Sequence, residues 1–303
     1  MPTPPSDAPP SAAAEAAAVF LHYGQAELDR QYDQRHWDPN GPETVAGYAA
    51  QTAAARAQLG NHRSLRYGEG ETDWLDLYPA AQPEAPIHVF LHGGAWRSLS
   101  RHDSGFAAPA FVAAGAHFVA PDFSVLPQTD LPGMVAQVRR ALGWIHREAR
   151  GALGGDPGRI HVSGHSSGAH LAACLLATDW AAEGLPAGLI RSGVLVSGLY
   201  DLRAVRLSSR QDYVKLTAES EAALSPLRHL GKIRCPVAVY CGDSESAEFS
   251  RQSRDFAAAL REAGRLADTA VLAGRTHFTA VRDLGDPASR VGRTALQLME
   301  LTP

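Results

Sequence analysis

One stretch limits the fold of this chain more than any other: "RIHVSGHSSGAHLAACLL", Arg159 to Leu176. An apolar, β-rich run stops at Gly164-His165-Ser166-Ser167-Gly168, and a small-residue helical run follows at once. Turning from strand to helix in so few residues strains the backbone at the apex, and side chains two positions to either side would collide. Glycines at 164 and 168 remove that collision. The turn lifts the Ser166 hydroxyl above a sheet edge and sets the Ser167 amide at a helix start, aimed at developing negative charge. A bare G-x-S-x-G pattern recurs by chance; between a strand and a helix it has the context of a nucleophile.

The rest of the chain repeats the strand–helix alternation. "SLRYG", "DWLDLYP", "IHVFLHG", "HFVAPDF", "RIHVSG", "SGVLVSGL", "PVAVYCGD" and "DTAVLAG" read as eight strands. The middle ones are continuous apolar runs, as expected of strands covered on both faces. Helical segments between them include "LPGMVAQVRRALGWIHREAR", "SAEFSRQSRDFAAALREAG" and "PASRVGRTALQLMEL". The pattern predicts an α/β architecture: one doubly wound, mostly parallel sheet in a single domain over residues 12–303. Residues 1–11, rich in Pro and Ser, are expected to be disordered. Residues 12–59 read as Ala-rich helices broken at "WDPNGPE", and residues 200–230 exceed what a βα connection needs, which marks them as a small cap or lid.

Bulk properties exclude several partners. A net charge of −4 over 303 residues gives no field that favours nucleic acid or an anionic membrane. The alanine run near the start is too short and too weakly apolar for a membrane span, and no basic segment precedes it. Cys174, Cys235 and Cys241 have neither metal spacing nor an even count, so free buried thiols in a reducing, cytoplasmic setting are expected. A small-molecule substrate is the expected partner, and nothing in the sequence sets a monomer apart from a homodimer.

"VFLHGGAWRSLS" ends the third strand with a Gly-Gly pair, which lets the backbone approach a ligand closely. The N–H groups of Gly94 and Ala95, with that of Ser167, are the candidate oxyanion donors. His92 reads as a loop-fixing residue. A serine hydroxyl needs a base, and the acid and then the histidine follow the serine in this order of elements. His277, just after the last strand, is the candidate base, being the only histidine beyond His229. Glu245 and Asp243 both stand as the acid: Glu245 is spaced to carry its carboxylate past the strand end, whereas Asp243 sits closer to it and could cap the turn. Glu248 suits the first turn of the next helix. His165 and His170 read as packing residues. The pattern points to serine-based acyl transfer, which calls for no metal or organic cofactor.

These residues resemble the α/β-hydrolase superfamily, and within it the kynurenine formamidase (arylformamidase) group. The resemblance rests on His92-Gly93-Gly94-Ala95-Trp96, on "GHSSGAHLAA", on "SGLYDLRAV" with "LTAESEAALSP", on "EFSRQS", and on "LDRQYDQR" near the start. It implies an α/β-hydrolase fold with Ser166 as nucleophile, His277 as base, Gly94 and Ala95 as oxyanion donors, and Glu245 where many members carry Asp. It further implies hydrolysis of an aryl formamide such as N-formylkynurenine, with a carboxylesterase acting on small acyl or aryl esters as the alternative. Trp96, Trp37 and Tyr32 are candidate aromatic walls for such a substrate. The chain departs from the group at Ser167, usually Ala, at Ala95 and at Gln211, positions that bear on the substrate more than on the chemistry.

Overall fold

Strands buried on both faces form the centre of the molecule: every residue of β3 (Ala85–Leu91) and β4 (His117–Pro121) is buried. The computed structural model describes residues 18–302. The tail expected at residues 1–11, and the start of the segment read as helical, lie outside the described residues. With β1 (Arg63–Arg66), β2 (Trp74–Tyr78), β5 (Gly155–His165), β6 (Ile190–Val196), β7 (Val237–Ser244) and β8 (Leu266–Thr276), the sheet has eight strands in the order β1-β2-β4-β3-β5-β6-β7-β8. β2 runs antiparallel to both β1 and β4, and all other pairs are parallel.

Helices cover both faces, because parallel neighbours require crossovers. α1 (Gln25–Gln31), α4 (Leu131–Glu148), α5 (Ser167–Leu176) and α9 (Ala247–Glu262) pack on one face with Ile87, Val89 and Leu91. α2 (Gly41–Leu59), α3 (Ala108–Ala113) and α10 (Arg290–Leu298) pack on the other with Phe90 and Phe118. α4 shows why such segments fold: Leu131, Met134, Val135, Val138, Ala141, Leu142 and Ile145 fall on one stripe at helical spacing. Asp130 accepts the Gly133 amide at its start. Residues 200–230 carry only short helices, α6 (Arg203–Leu207), α7 (Gln211–Val214) and α8 (Ala218–Ala223). No helix among the described residues is long and apolar enough to cross a membrane.

Two details differ from the sequence reading. Residues 18–24 are not helical: Val19 and Phe20 donate their amides to the Tyr23 carbonyl, Leu21 has φ 51°, and α1 starts only after Gly24. The six-residue α3 had too little periodicity to be read. The three cysteines are free and buried, and burial pushes each thiol up to about 12.

Imidazoles tie the sheet strands together. His88 on β3 meets Ser163 Oγ on β5 at 2.6 Å, and His161 on β5 meets Ser192 Oγ on β6 at 2.7 Å. Burial holds His88 far below the ordinary range and pushes His161 down to about 3, helped by Arg159 and Arg191. His165 and His170 are likewise pushed down, to about 3 and about 4, chiefly by burial. The unfolded chain therefore takes up protons below about pH 6.5 that the folded chain does not, so stability is present above that pH and is lost as pH falls. Each such imidazole contributes a slope of about 1.4 kcal/mol per pH unit. The expected outcome is a urea midpoint, read by tryptophan fluorescence, that drops steadily between pH 6.5 and 4.5; a flat profile would contradict it.

Candidate active site

Ser166 stands between β5 and α5 with φ 54° and ψ −122°, a conformation that L-residues rarely adopt. Its amide is held by the Val196 carbonyl at 2.9 Å, and its carbonyl accepts the His170 amide at 3.2 Å. A Cβ on Gly164 would lie 2.3 Å from the Gly168 carbonyl oxygen. Gly168 is bare for a different reason: its Cβ would strike the Leu91 and His92 carbonyls, at 2.1 and 2.3 Å. The second glycine thus lets the end of β3 press against the turn.

His277 follows the end of β8, and its Nε2 is 3.0 Å from Ser166 Oγ. Its Nδ1 is 2.9 Å from Glu245 Oε2, just beyond the end of β7. Nδ1–H donating to the carboxylate leaves the Nε2 lone pair free for the serine proton, the tautomer a general base requires. The other carboxylate oxygen, Oε1, accepts from Ser197 Oγ and from the Gly242 amide, each at 2.6 Å. Asp243 points elsewhere: it is solvent-exposed, accepts the Gly274 amide at 2.9 Å, and is held below the usual carboxylate range by that bond. Glu248 is buried, paired with Arg251 at 2.7 Å and accepting from Tyr32 Oη. His165 lies beside His277 without sharing its partners. Its ring centroid is 4.9 Å from that of His277, it donates Nε2–H to the His277 carbonyl at 2.8 Å, and burial keeps it neutral.

The loop after β3 has its peptide planes pinned by their carbonyls. His92 Nδ1–H donates to Gly93 O at 2.9 Å, and its ring stacks on Phe123 at 4.1 Å. The Gly94 carbonyl accepts from the Arg97 and Ser98 amides. Because the peptide unit is planar and trans, each anchored carbonyl fixes the next N–H in the opposite direction, at Gly94 and at Ala95. Neither amide has a protein acceptor among the described residues. The Ser167 amide, first in α5, has no intrahelical acceptor either. Gly94 and Ala95 line the same cavity as Ser166 and His277.

Trp96 was expected on the pocket wall, and the structure places it elsewhere. It is 1% exposed, its amide donates to Ser167 Oγ at 3.1 Å, and its Nε1–H donates to His170 Nδ1 at 3.2 Å. Positive φ at Ala95 (54°) and Trp96 (61°) turns the indole beneath the loop. His170 passes the contact on by donating to Leu224 O at 2.8 Å. Trp37 also lies off the cavity, under the Arg30 guanidinium at 4.7 Å. Tyr32 does line the cavity. Gln211 caps the Leu216 backbone through both ends of its amide.

The cavity holds about 540 Å³ and is walled by Tyr32, Tyr48, Tyr213 and Phe278, with Arg97 and Arg210. Two segments outside the strand–helix core supply most of this wall. The N-terminal one is fastened to the Glu245 loop: Gln34 bonds Ser246 Oγ and its amide, and Gln31 accepts the Glu248 amide. The sequence reading missed Ser197, which orients Glu245, and nothing local signals it. The Gly-Gly pair reads as close approach to a ligand; at Gly93 the close approach is to the protein itself, where an added Cβ would lie 2.9 Å from His165 O and 3.3 Å from Ser166 Cβ.

A sequence profile of the alpha/beta hydrolase fold matches residues 88–280, more than half of the chain. The chain belongs to the α/β-hydrolase family. This hydrolase is 32% identical to a kynurenine formamidase of Danio rerio, over 86% of its own length and 91% of the relative's. It is 31% identical to that of Salmo salar, over 90% and 96%. A solved chain from Silicibacter sp. tm1040 superposes with a TM-score of 0.79 at 26% identity, covering 89% of this chain and 98% of its own.

The two acids separate cleanly by experiment. Glu245→Gln should lower kcat on p-nitrophenyl acetate by about 10³–10⁴, while Asp243→Asn should stay within about twofold. The reverse pattern would assign the acid to Asp243.

Proposed function

We propose that this hydrolase cleaves an aryl formamide, N-formylkynurenine being the substrate that its relatives' name suggests, to formate and the aromatic amine. The observation that carries the reading is the Ser166–His277–Glu245 hydrogen-bonded chain opening into an aromatic-walled cavity. Ser166 Oγ attacks the formyl carbon as His277 Nε2 takes its proton, and the Glu245 carboxylate stabilises the imidazolium. The Gly94, Ala95 and Ser167 amides receive the oxyanion. His277 then hands the proton to the departing arylamine, leaving a formyl ester on Ser166. A water deprotonated by His277 attacks this ester, and the proton passes from His277 to Ser166 Oγ as formate is released. Residues 200–230 serve as a cap over the cavity in this reading. The unpaired thiols support a reducing, cytoplasmic setting.

The same machinery would open small acyl or aryl esters, and the aromatic wall suits an aryl leaving group of either kind. Comparing kcat/KM for N-formylkynurenine with that for p-nitrophenyl acetate separates the two. The formamide should be the better substrate, and negligible formamide turnover beside brisk ester turnover would leave a carboxylesterase. Ser166→Ala should lower turnover of both by about 10⁴–10⁶ with the thermal unfolding midpoint little changed.

A further inference from the structure

We propose that Arg210 is a specificity-determining residue that selects molecules carrying a carboxylate on the portion that departs as Ser166 is acylated. The inference rests on the proposed aryl acyl chemistry but concerns a separate group on the cavity wall.

Arg210 immediately precedes α7, and its guanidinium is sandwiched among rings: its Cζ lies 5.2 Å from the centroid of Tyr32, 5.8 Å from Phe249 and 5.9 Å from Trp96. Nη2 donates to the Tyr32 carbonyl at 2.7 Å. Nη1 is buried without an acceptor, and no carboxylate pairs with this guanidinium among the described residues. The acids around it are engaged or distant. Asp33 is held by Arg35 at 2.7 Å, and Asp29 accepts from the Ser209 amide and Gln25. Glu248 is held by Arg251. Asp212 is exposed, as is Arg97, which stacks on Tyr213 at 4.6 Å. Arg210 is therefore the partly buried cation on this wall that is left without a counter-charge.

An incompletely bonded guanidinium is costly, and a carboxylate, which accepts two parallel N–H bonds, relieves it best. Arg210 and His277 line the same cavity as Ser166, and both pack on the Phe249 ring, whose centroid is 4.7 Å from that of His277 and 5.8 Å from Arg210 Cζ. A molecule whose scissile carbonyl sits at Ser166 can present an anionic substituent of its aryl group to Arg210.

The test is competitive inhibition of p-nitrophenyl acetate hydrolysis by kynurenine and by its carboxamide, which has nearly the same shape but lacks the negative charge and the second acceptor oxygen. The pair can be read whether or not the protein turns over formamides, so absence of formamidase activity would count against the proposed function and not against this site. Kynurenine should bind the protein about tenfold or more tightly than the amide. Arg210→Gln should bring the ratio of the two inhibition constants close to one, Arg210→Lys should keep part of it, and Arg97→Gln should keep most of it. A ratio taken on one preparation is indifferent to lost active fraction, so poor folding of a variant cannot imitate the result. Equal binding of acid and amide by the unaltered protein overturns the proposal. So does a ratio that survives Arg210→Gln, or one lost with Arg97→Gln instead.

Discussion

The strained backbone at Ser166 is the constraint from which the rest of the site follows. A non-glycine residue at φ 54° and ψ −122° costs about 1–3 kcal/mol and persists only where its surroundings over-determine it. Here the Val196 carbonyl, the first turn of α5 and the end of β3 all bear on it. Because Gly168 has no side chain, the Leu91 and His92 carbonyls approach α5 closely. That contact puts the loop carrying Gly94 and Ala95 beside the hydroxyl. One turn therefore sets the height of the serine and the distance to the amides together.

Around the turn, three imidazoles act as rigid connectors while a fourth faces a hydroxyl and a carboxylate. His92 anchors the Gly93 carbonyl, and His170 joins the Trp96 indole to the Leu224 carbonyl. His165 joins the elbow to the backbone of His277. Burial keeps His165 and His170 uncharged, so their hydrogen bonds hold one tautomer through the neutral range. His277 differs in having a carboxylate on one nitrogen and a hydroxyl on the other. Roles among chemically identical side chains are thus divided by what each ring nitrogen faces.

The strands were legible because their apolar runs lack alternation, and Ser166 was legible because its glycines and its strand–helix context are all local. The acid was harder, since Asp243 and Glu245 leave the same strand end two residues apart. What separates them is a break in the β7–β8 register between Gly242 and Ser244, which sends Asp243 to the Gly274 amide and Glu245 inward. Trp96 misled for a related reason: an aromatic beside a Gly-Gly pair reads as a wall, and only the positive φ values on the loop turn it into the interior.

By itself the sequence determined the eight-stranded alternation, the strained serine and the histidine after the last strand, because each depends on short-range sterics or on order along the chain. Tertiary structure alone decided which carboxylate meets His277, that Ser197 steadies it, and that Tyr32 and Arg210, 178 residues apart, share one stretch of cavity wall. Those outcomes depend on the directions of side chains carried by segments with no sequence relation to one another. Such directions are settled only when the segments pack and buried polar groups compete for partners.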